Sequence, residues 1–520
     1  MNTWAVRLAG FFALGSTLWC GPWLLLHLNV DHLWMSVPFT IALGMTMALT
    51  LATFITEWRR SAPTPAPVET GNEPMVGILI PTMREPVRMV SRTVESVLQQ
   101  NWPNDRMVIV VSDDGRSREV ELEVSRLRKT YNAATLIYNT PPQRGSVDRR
   151  GDAKAGNLNS ALELLRTRYP EIRFVEMRDA DDEVGDPDFL RQTVGLLAKD
   201  PKLAYVQTIK SAKVSEGDPF NNLEPLFYHG NMLARHDGNS VFPCGSGLVW
   251  REEALADIGD FPTWSLVEDL LSGVEALRRG WNSAYLPIYG AVAQHAPEDI
   301  ENVYKQRGTW SLDTLRIMFW WNLEGLNLRQ RIQFSQLAFY YLHSLATIVF
   351  IIVLPISLVT GIYPMELTGF EAAYRFWPLI VSSELFLIAL NGRQPFETAW
   401  RLKEMLIGLA PVYARSFFRA VIDGPDARYV YRITRKTDDF HWYWTSTVVQ
   451  MFAFAVLSSA LLYRISNSAS WSAFDMGLAY LTLLQILPLA GFIRKSWFGV
   501  NPFARHAPVA QPELSTEIGD

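Results

Sequence analysis

The sequence predicts an α/β domain with a mainly parallel sheet, inserted in an α-helical membrane domain of about six transmembrane helices with interfacial helices. Three observations lead to this fold class. Only 19% of the 520 residues are charged and 48% are hydrophobic, whereas about a quarter of a soluble globular chain is charged. Long uncharged stretches lie toward both ends of the chain. Between them, in the block 57–331, short apolar runs alternate with helical patterns.

Six stretches nearly free of charge account for the predicted membrane helices. They are about 8–27, 33–56, 332–361, 376–392, 440–463 and 476–493. A helix needs roughly 20 apolar residues to cross the hydrocarbon core, and these stretches approach or exceed that length. No small-residue cleavage site separates the first two, so we expect a helical hairpin there rather than a signal peptide.

Lys and Arg are concentrated on one side of the predicted spans. Arg59-Arg60 follows the second span, a basic stretch fills 393–439, and Arg494-Lys495 follows the last span. Basic residues favour the cytoplasmic side. We therefore expect a multi-pass protein of the plasma membrane, which is the inner membrane in bacteria, with both termini and the block 57–331 in the cytoplasm. Arginine and aromatic residues from Glu397 to Ile422 predict an interfacial helix.

These patterns divide the chain into five segments. They are a transmembrane hairpin at 1–60, a Pro-rich linker at 61–74, a cytoplasmic domain at 75–315, a transmembrane region with interfacial helices at 316–496 and a cytoplasmic tail at 497–520. Because few residues follow the last span, we expect any regulatory domain to lie on a separate subunit.

Apolar runs in the cytoplasmic domain predict parallel strands. Val76–Ile80 and Met107–Val111 are joined by a helical pattern from Val87 to Gln100, and a third run covers Ala134–Tyr138. Strands that alternate with helices form βαβ units, whose ligands bind at the carboxyl ends of the strands. Asp113-Asp114 follows the second run directly, so we expect acidic side chains at the binding edge of the sheet.

Composition excludes several classes of protein. The net charge of −5 gives no basic surface for nucleic acid, so we expect no nucleic-acid partner. The two cysteines, Cys20 and Cys244, form neither a disulfide scaffold nor a metal-ligand spacing. The 18 Trp, 18 Tyr and 27 Phe are too many for a disordered chain.

Two groups of side chains have the chemistry to bind a metal or an anion. Asp179 and Asp181 alternate after a predicted strand, so their oxygens can hold one hard cation such as magnesium. A solvated acidic turn is the alternative. Lys154 precedes Gly156 and Asn157 at a predicted helix start, where its charge and the backbone N–H groups can bind an anion. An ordinary helix cap explains the same residues.

Three further motifs have two interpretations each. Glu268-Asp269 precedes a helical stretch, where a carboxylate can act as a general base or simply favour the helix dipole. The aromatic ring in Gln306–Trp310 suits sugar stacking or anchoring at the membrane interface. Tyr431–Lys436, between the fourth and fifth predicted spans, is a basic juxtamembrane stretch or a functional loop.

The order of these motifs resembles that of the processive family 2 glycosyltransferases, most closely the cellulose synthase-like group. The resemblance covers about residues 74–440 and implies a GT-A-type catalytic domain. Pro81–Glu85 is similar to the first-strand loop of the family, Phe242–Gly247 to its acceptor loop, and Tyr431–Lys436 to its gating loop, expected at 428–440.

The resemblance implies a role for each matching residue. The residues that bind the nucleotide sugar would be Thr82, Glu85, Asp113, Asp114, Lys154, Asp179, Arg307, Thr434 and Lys436. The acceptor sugar would contact Cys244, Gly245, Gln306 and Trp310. Asp179 and Asp181 would hold Mg²⁺ or Mn²⁺, and Asp269 would be the catalytic base.

Thr309 departs from the family pattern, which usually has Arg at that position. One cation near the donor diphosphate is therefore missing. We expect either that Arg307 or Lys436 replaces it, or that the acceptor sits differently and the linkage is not the β-1,4 linkage of cellulose.

The implied activity is processive, inverting polymerisation of glucose from UDP-glucose into a β-glucan with β-1,3, β-1,4 or mixed linkages. The membrane helices would form an export channel, with Glu384 and His343 as candidates for its lining. The expected partners are UDP-glucose, the growing glucan chain, the lipid bilayer, and accessory export or regulatory subunits. One alternative is a different nucleotide sugar, which would give a chitin-, hyaluronan- or mannan-like product. The others are a non-processive enzyme with a lipid-linked acceptor, and a transporter or receptor with an inactive domain.

Overall fold

The structure, a computed structural model, describes residues 3–366, 368–429, 443–467, 470–471 and 473–498. The α-helices of these residues are α1 Thr3–Leu26, α2 Leu33–Thr56, α3 Val87–Leu98, α4 Arg118–Thr130, α5 Ala153–Arg168, α6 Phe189–Lys199, α7 Met232–Asp237, α8 Glu252–Ile258, α9 Glu268–Arg278, α10 Ile300–Trp320, α11 Leu328–Thr360, α12 Gly369–Asn391, α13 Phe396–Gly408, α14 Ala410–Ile422, α15 Val448–Asn467 and α16 Ala473–Phe498. The strands are β1 Val76–Thr82, β2 Met107–Asp113, β3 Thr135–Asn139, β4 Phe174–Met177, β5 Leu203–Lys213, β6 Leu248–Arg251 and β7 Asn282–His295.

The strands form one sheet in the order β3-β2-β1-β4-β6-β5-β7. β1 is parallel to β2 and β4, β2 is parallel to β3, and β5 is parallel to β7. β6 alone among these strands runs antiparallel to its neighbours, β4 and β5. The prediction of a mainly parallel sheet is therefore confirmed, and the three apolar runs named from the sequence lie in β1, β2 and β3.

Helices cover both faces of the sheet, which explains why its strands are nearly continuous apolar runs. On one face Ile78 and Ile109 are buried with Val94 of α3. On the other face Leu79 is buried with Leu162 of α5. In β1 and β2 the polar residues lie at the carboxyl end, at Thr82, Ser112 and Asp113.

Six helices of the described residues are long and apolar enough to cross a membrane: α1, α2, α11, α12, α15 and α16. They coincide with the six spans predicted from the sequence. Large apolar side chains such as Leu8, Phe12 and Phe452 are more than half exposed on their outer faces. Contiguous apolar surface of this kind is unfavourable in water and is covered by lipid in a membrane. The chain is therefore a membrane protein.

The predicted single helix from Glu397 to Ile422 is two helices, α13 and α14, inclined to each other by 52°. Pro411 lies at the start of α14, and proline lacks the N–H that would continue the preceding helix. A Cβ at Gly408 would lie 2.3 Å from the ring of Phe492 in α16, so glycine allows the close contact of α13 with that helix.

Helix α10 follows the sheet domain in the chain and packs against α14. Ser311 Oγ donates to Ser416 Oγ of α14 at 2.8 Å. The domain boundary expected at residue 315 falls inside this helix. This one helix therefore joins the sheet domain to the membrane region.

Candidate active site

A continuous cavity of about 1570 Å³ extends from the carboxyl edge of the sheet into the space between the membrane helices. Thr82 and Asp114 line it at the sheet edge, and Thr347 lines it between the membrane helices. His343 and Glu384, the two residues predicted for a channel lining, both lie on its wall. The side chain of Glu384 forms an ion pair with Lys403 there.

The end of β1 carries Thr82 to the cavity. Glu85 turns back on the same loop, where its Oε2 accepts from Thr82 Oγ1 at 2.6 Å and from the backbone N–H of Met83. A Cβ at Gly115 would lie 3.0 Å from the backbone nitrogen of Arg84. Glycine therefore lets the turns after β1 and β2 approach each other, and both Thr82 and Glu85 line the cavity.

Asp113 and Asp114 have different positions. The carboxylate of Asp113 is buried and accepts from two backbone N–H groups of the following turn, each at 2.7 Å, and from the Tyr138 hydroxyl at 3.0 Å. Asp113 is not among the residues that line the cavity, whereas Asp114 is. Arg149 donates to both oxygens of Asp114, at 2.6 and 2.8 Å. Asp113 thus holds the turn, and Asp114 faces the ligand space.

Two lysines contact the two oxygens of Asp179. Lys154 Nζ lies 2.5 Å from Oδ1, and Lys210 Nζ lies 3.2 Å from Oδ2. The same lysines donate to the carbonyls of Gly245, at 2.9 Å, and Cys244, at 3.2 Å. Burial acts to raise the pKa of Asp179, but the two ammonium groups outweigh it and hold this pKa well below its usual range. Asp179 is therefore ionised at neutral pH.

The next two acidic residues differ from Asp179 in their surroundings. Asp181 lines the cavity, and its Oδ2 accepts from the backbone N–H of His295 at 3.1 Å. Asp182 is fully buried, with Lys210 Nζ 3.6 Å from its Oδ2. Burial raises the pKa of Asp182 to about 7; Lys210 opposes the shift, and Asp179 and Asp181 add to it.

Asp179 and Asp181 fit a hard divalent cation. Both offer carboxylate oxygens to the same cavity. Mg²⁺ is usually held by one or two carboxylates together with substrate phosphates and water. Among the described residues, no group of three or more His, Cys, Asp and Glu side chains could hold a metal ion. The oxygens of a phosphate-bearing ligand would therefore have to complete such a site.

The acidic pair Glu268-Asp269 begins α9 beside these lysines. A Cβ at Gly245, where φ is +81°, would lie 3.1 Å from both Asp269 Oδ2 and Lys154 Nζ, so glycine leaves room for the two charged groups. Burial raises the pKa of Asp269, with Lys154 opposing. Burial also raises the pKa of Glu268 to about 7; Lys154 opposes this shift as well, and Asp269 adds to it. A carboxylate with a raised pKa is more basic and can accept a proton near neutral pH.

Helix α10 forms another wall of the cavity. The residues that it contributes include Gln306, Arg307, Thr309 and Trp310. Arg307 forms an ion pair with Glu224, and its guanidinium carbon lies 4.7 Å from the centre of the Trp310 ring. Thr309 Oγ1 donates to the carbonyl of Lys305 at 2.8 Å. The Thr309 hydroxyl proton is thus used inside the helix, and Arg307 is held by a carboxylate.

The structure brings most of the predicted site residues to one cavity. Cys244 and Gly245 join the walls already described, and Asp113 is the exception among the described residues. Thr434 and Lys436 lie outside the described residues, together with most of the expected gating loop at 428–440.

Sequence reasoning missed Arg149, Lys210 and Glu224. Lys210 had a detectable signal, because it follows the mainly apolar stretch Leu203–Ile209 and lies near the carboxyl end of a strand. Arg149 and Glu224 lie in irregular segments, where no periodic pattern reports which way a side chain points.

Comparison with known proteins gives the class of the domain. Residues 74–312 match the family model described as glycosyltransferase like family 2. A solved mannosyltransferase from Pyrobaculum calidifontis, in complex with GDP-Man and Mn²⁺, superposes with a TM-score of 0.50 at 16% sequence identity, covering 74% of this chain and 99% of that chain. Residues 74–312 are therefore a glycosyltransferase family 2 domain, and its fold is of the GT-A type.

Curated relatives include cellulose synthases. Cellulose synthase 2 of Novacetimonas hansenii is 30% identical over an alignment of 326 residues that covers 59% of this chain and 19% of that protein. The UDP-forming cellulose synthase catalytic subunit of Pseudomonas fluorescens strain SBW25 is 29% identical over an alignment of 337 residues that covers 62% of this chain and 42% of that protein. The matched region thus spans less than half the length of either relative, and the resemblance to cellulose synthase-like proteins found in the motifs is confirmed.

Proposed function

We propose that this protein is a processive, inverting glycosyltransferase that polymerises glucose from UDP-glucose into a β-glucan and exports the chain through its own membrane helices. The observation that carries the proposal is the continuous cavity. It joins the lysine and aspartate cluster, the acidic pair of α9, the Trp310 ring and the membrane helices in one space. An enzyme that released short soluble products would not need the membrane part of this cavity.

The donor would bind at the sheet edge. Thr82 and Asp114 line the part of the cavity suited to the nucleoside, and Lys154 lies where an anionic diphosphate would be stabilised. A divalent cation held by Asp179 and Asp181 would act as a Lewis acid on the leaving diphosphate. The relatives named as UDP-forming support a uridine nucleotide as the product.

The transfer would be a single displacement. The acceptor hydroxyl attacks the anomeric carbon, Asp269 takes the hydroxyl proton, and the bond from the anomeric carbon to the diphosphate oxygen breaks so that UDP leaves. Attack opposite to the leaving group converts the α-linked donor to a β-linked product. Trp310 offers an aromatic face for the terminal sugar, and Arg307 supports that ring from one side.

The basic residues between and beside the spans support one orientation in the membrane. We place the catalytic domain and both termini in the cytoplasm, where nucleotide sugars are available. The growing chain would then enter the membrane part of the cavity past His343 and leave on the opposite side. Accessory export or regulatory subunits are optional partners in this scheme.

A donor panel tests the proposal. Purified protein in lipid nanodiscs is incubated separately with labelled UDP-glucose, UDP-GlcNAc and GDP-mannose, and polymer is recovered by precipitation. We expect polymer from UDP-glucose alone, degraded by β-glucanases. Polymer from another donor would replace glucose in the proposal, and a short lipid-extractable product would replace processive synthesis. Digestion with linkage-specific glucanases then assigns the linkage.

A further inference from the structure

Lys210 has contacts that neither the motifs nor the family match assigns to a function. It lies near the carboxyl end of β5, lines the cavity, and has a side chain only 9% exposed. An ammonium group has three N–H donors. Two of these point to Asp179 Oδ2 and to the Cys244 carbonyl, each at 3.2 Å. A lysine is rarely buried at this level unless charge around it requires a cation.

Lys210 lies among several carboxyl groups. Asp179, Asp181 and Asp182 follow one another within four residues, and Lys154 and Lys210 are the two ammonium groups in contact with Asp179. A diphosphate that entered beside these carboxylates would meet strong repulsion, because like charges in a buried site are poorly screened. Each lysine that faces the diphosphate therefore has a large effect on binding.

Two arginines of the cavity wall are held by carboxylates away from Asp179. Arg307 pairs with Glu224, and Arg149 pairs with Asp114 through two hydrogen bonds. Thr309, where the resemblance expects an arginine, carries no charge and donates its hydroxyl proton to Lys305. The cationic contacts closest to Asp179 come from β5 and α5 instead.

We propose that Lys210 is a donor-binding residue, which together with Lys154 holds the diphosphate of a nucleoside diphosphate sugar. The two ammonium groups are already ordered on either side of Asp179, so binding the diphosphate costs little further side-chain entropy. This inference rests on the proposed use of a nucleotide sugar. It adds that the diphosphate is recognised from strand β5, on the side of Asp182.

Measurements of nucleotide binding to the full-length protein test whether Lys210 binds the diphosphate. The variants are Lys210→Met and Lys210→Arg, with Lys213→Met as the matched control at the exposed end of the same strand. Calorimetry measures the affinity for UDP and for uridine, each with and without Mg²⁺. We expect Lys210→Met to weaken UDP binding about ten- to a hundredfold, which is the usual size of one charge-assisted contact. Uridine binding, Lys210→Arg and Lys213→Met should stay near the wild-type affinity.

A second variant distinguishes a purely structural role of Lys210 from a role in binding the diphosphate. Removing the lysine leaves Asp182 buried without its cation, so Lys210→Met is also combined with Asp182→Asn and thermal unfolding is recorded. We expect the double variant to recover the unfolding temperature but not the affinity for UDP. Recovery of UDP affinity in the double variant, or an equal loss of uridine and UDP affinity in Lys210→Met, would overturn the inference.

The same data distinguish this inference from the proposed function. If wild-type protein binds UDP but makes no polymer from any donor, the proposed function fails and the assignment of Lys210 stands or falls on the affinities alone. If wild-type protein binds neither UDP nor GDP, both are wrong.

Discussion

At the scale of single residues, Asp269 is the carboxylate placed to act as a base. It lines the cavity beside Lys154 and Gly245, and burial raises its pKa. We predict that Asp269→Asn lowers polymer synthesis by at least about a hundredfold, because asparagine keeps the shape but cannot accept a proton. UDP binding, measured by calorimetry, should stay near the wild-type affinity.

The control for Asp269→Asn is Glu253→Gln, which removes a carboxylate of α8 outside the cavity. That variant should synthesise polymer at the wild-type rate. Polymer synthesis by Asp269→Asn at a similar rate would remove Asp269 from the mechanism.

The pH dependence should report the acidic pair. Asp269 must be ionised to take a proton, so a raised pKa means that activity is lost as the pH falls through that value. We predict an acid limb of kcat that lies above the ordinary aspartate pKa of about 3.9. A profile that stays flat down to about pH 4 would show that no raised carboxylate is needed.

A divalent cation should be required for activity. Asp179 and Asp181 offer oxygen ligands, and a diphosphate adds negative charge that a cation would offset. We predict that EDTA abolishes polymer synthesis and that Mg²⁺ or Mn²⁺ restores it. Asp181→Ala should weaken Mg²⁺-dependent UDP binding while leaving uridine binding unchanged. Full activity in the presence of chelator would rule out the metal.

At the scale of secondary-structure elements, Arg316 of α10 ties together two segments around the acidic pair. Its guanidinium donates to Asp313 Oδ1 at 2.9 Å and to the Ala427 carbonyl at 2.7 Å. The guanidinium carbon also lies over two aromatic rings, 4.4 Å from the centre of the Trp264 ring and 4.7 Å from the centre of the Tyr429 ring. Asp313 in turn accepts from the backbone N–H of Leu266 and the Ser265 hydroxyl, just before α9 begins. The segment 425–429 and the start of α9 therefore share one buried ion pair.

We predict that Arg316→Met destabilises the protein by about 3 kcal/mol or more, because it leaves Asp313 as a buried charge without its partner. Polymer synthesis should fall as well, since the loop before Glu268-Asp269 loses its support. The matched control is Arg419→Met. The Arg419 side chain stacks on the same Tyr429 ring but is 43% exposed, so its loss should cost at most about 1 kcal/mol. Equal unfolding temperatures for the two variants in thermal melts would contradict this role for Arg316.

Most elements could be predicted from the sequence, because their signal is periodic or continuous. The apolar runs located β1, β2 and β3, and the charge-free stretches located six membrane helices. The break between α13 and α14 was missed because Gly408 and Pro411 interrupt a pattern whose composition does not change. The antiparallel direction of β6 could not be predicted either, because the residues of a strand do not show which neighbours it pairs with or in which direction.

The site was predictable where a motif has fixed spacing and unpredictable where partners come from distant segments. Asp179 and Asp181 gave such a signal, whereas the ion pair of Arg307 with Glu224 joins residues 83 apart in sequence. The same limit explains Asp113 and Asp114. They are adjacent in sequence, yet only the turn geometry directs one toward backbone N–H groups and the other toward the cavity.

At the scale of the whole molecule, the cavity links bond formation to passage through the membrane. Its membrane part is lined by Ser383 and Glu384 of α12, whereas Val381 on the same helix is 48% exposed on the outer face and does not line the cavity. A large side chain at Ser383 would block the cavity, whereas the same side chain at Val381 would not. Comparing the two positions therefore distinguishes a blocked path from the general effect of a larger side chain in α12.

We predict that Ser383→Trp abolishes accumulation of polymer in nanodisc-embedded protein, because the indole fills space that a chain would need. UDP binding should stay near the wild-type affinity, since Ser383 lies in the membrane part of the cavity, on α12. Val381→Trp adds the same group facing lipid, where Trp is tolerated, and should synthesise polymer of normal length. Polymer yield and length are compared by precipitation and size-exclusion chromatography. Normal polymer from Ser383→Trp would mean that the chain leaves by another path, and the sheet-edge site would then operate without the membrane part of the cavity.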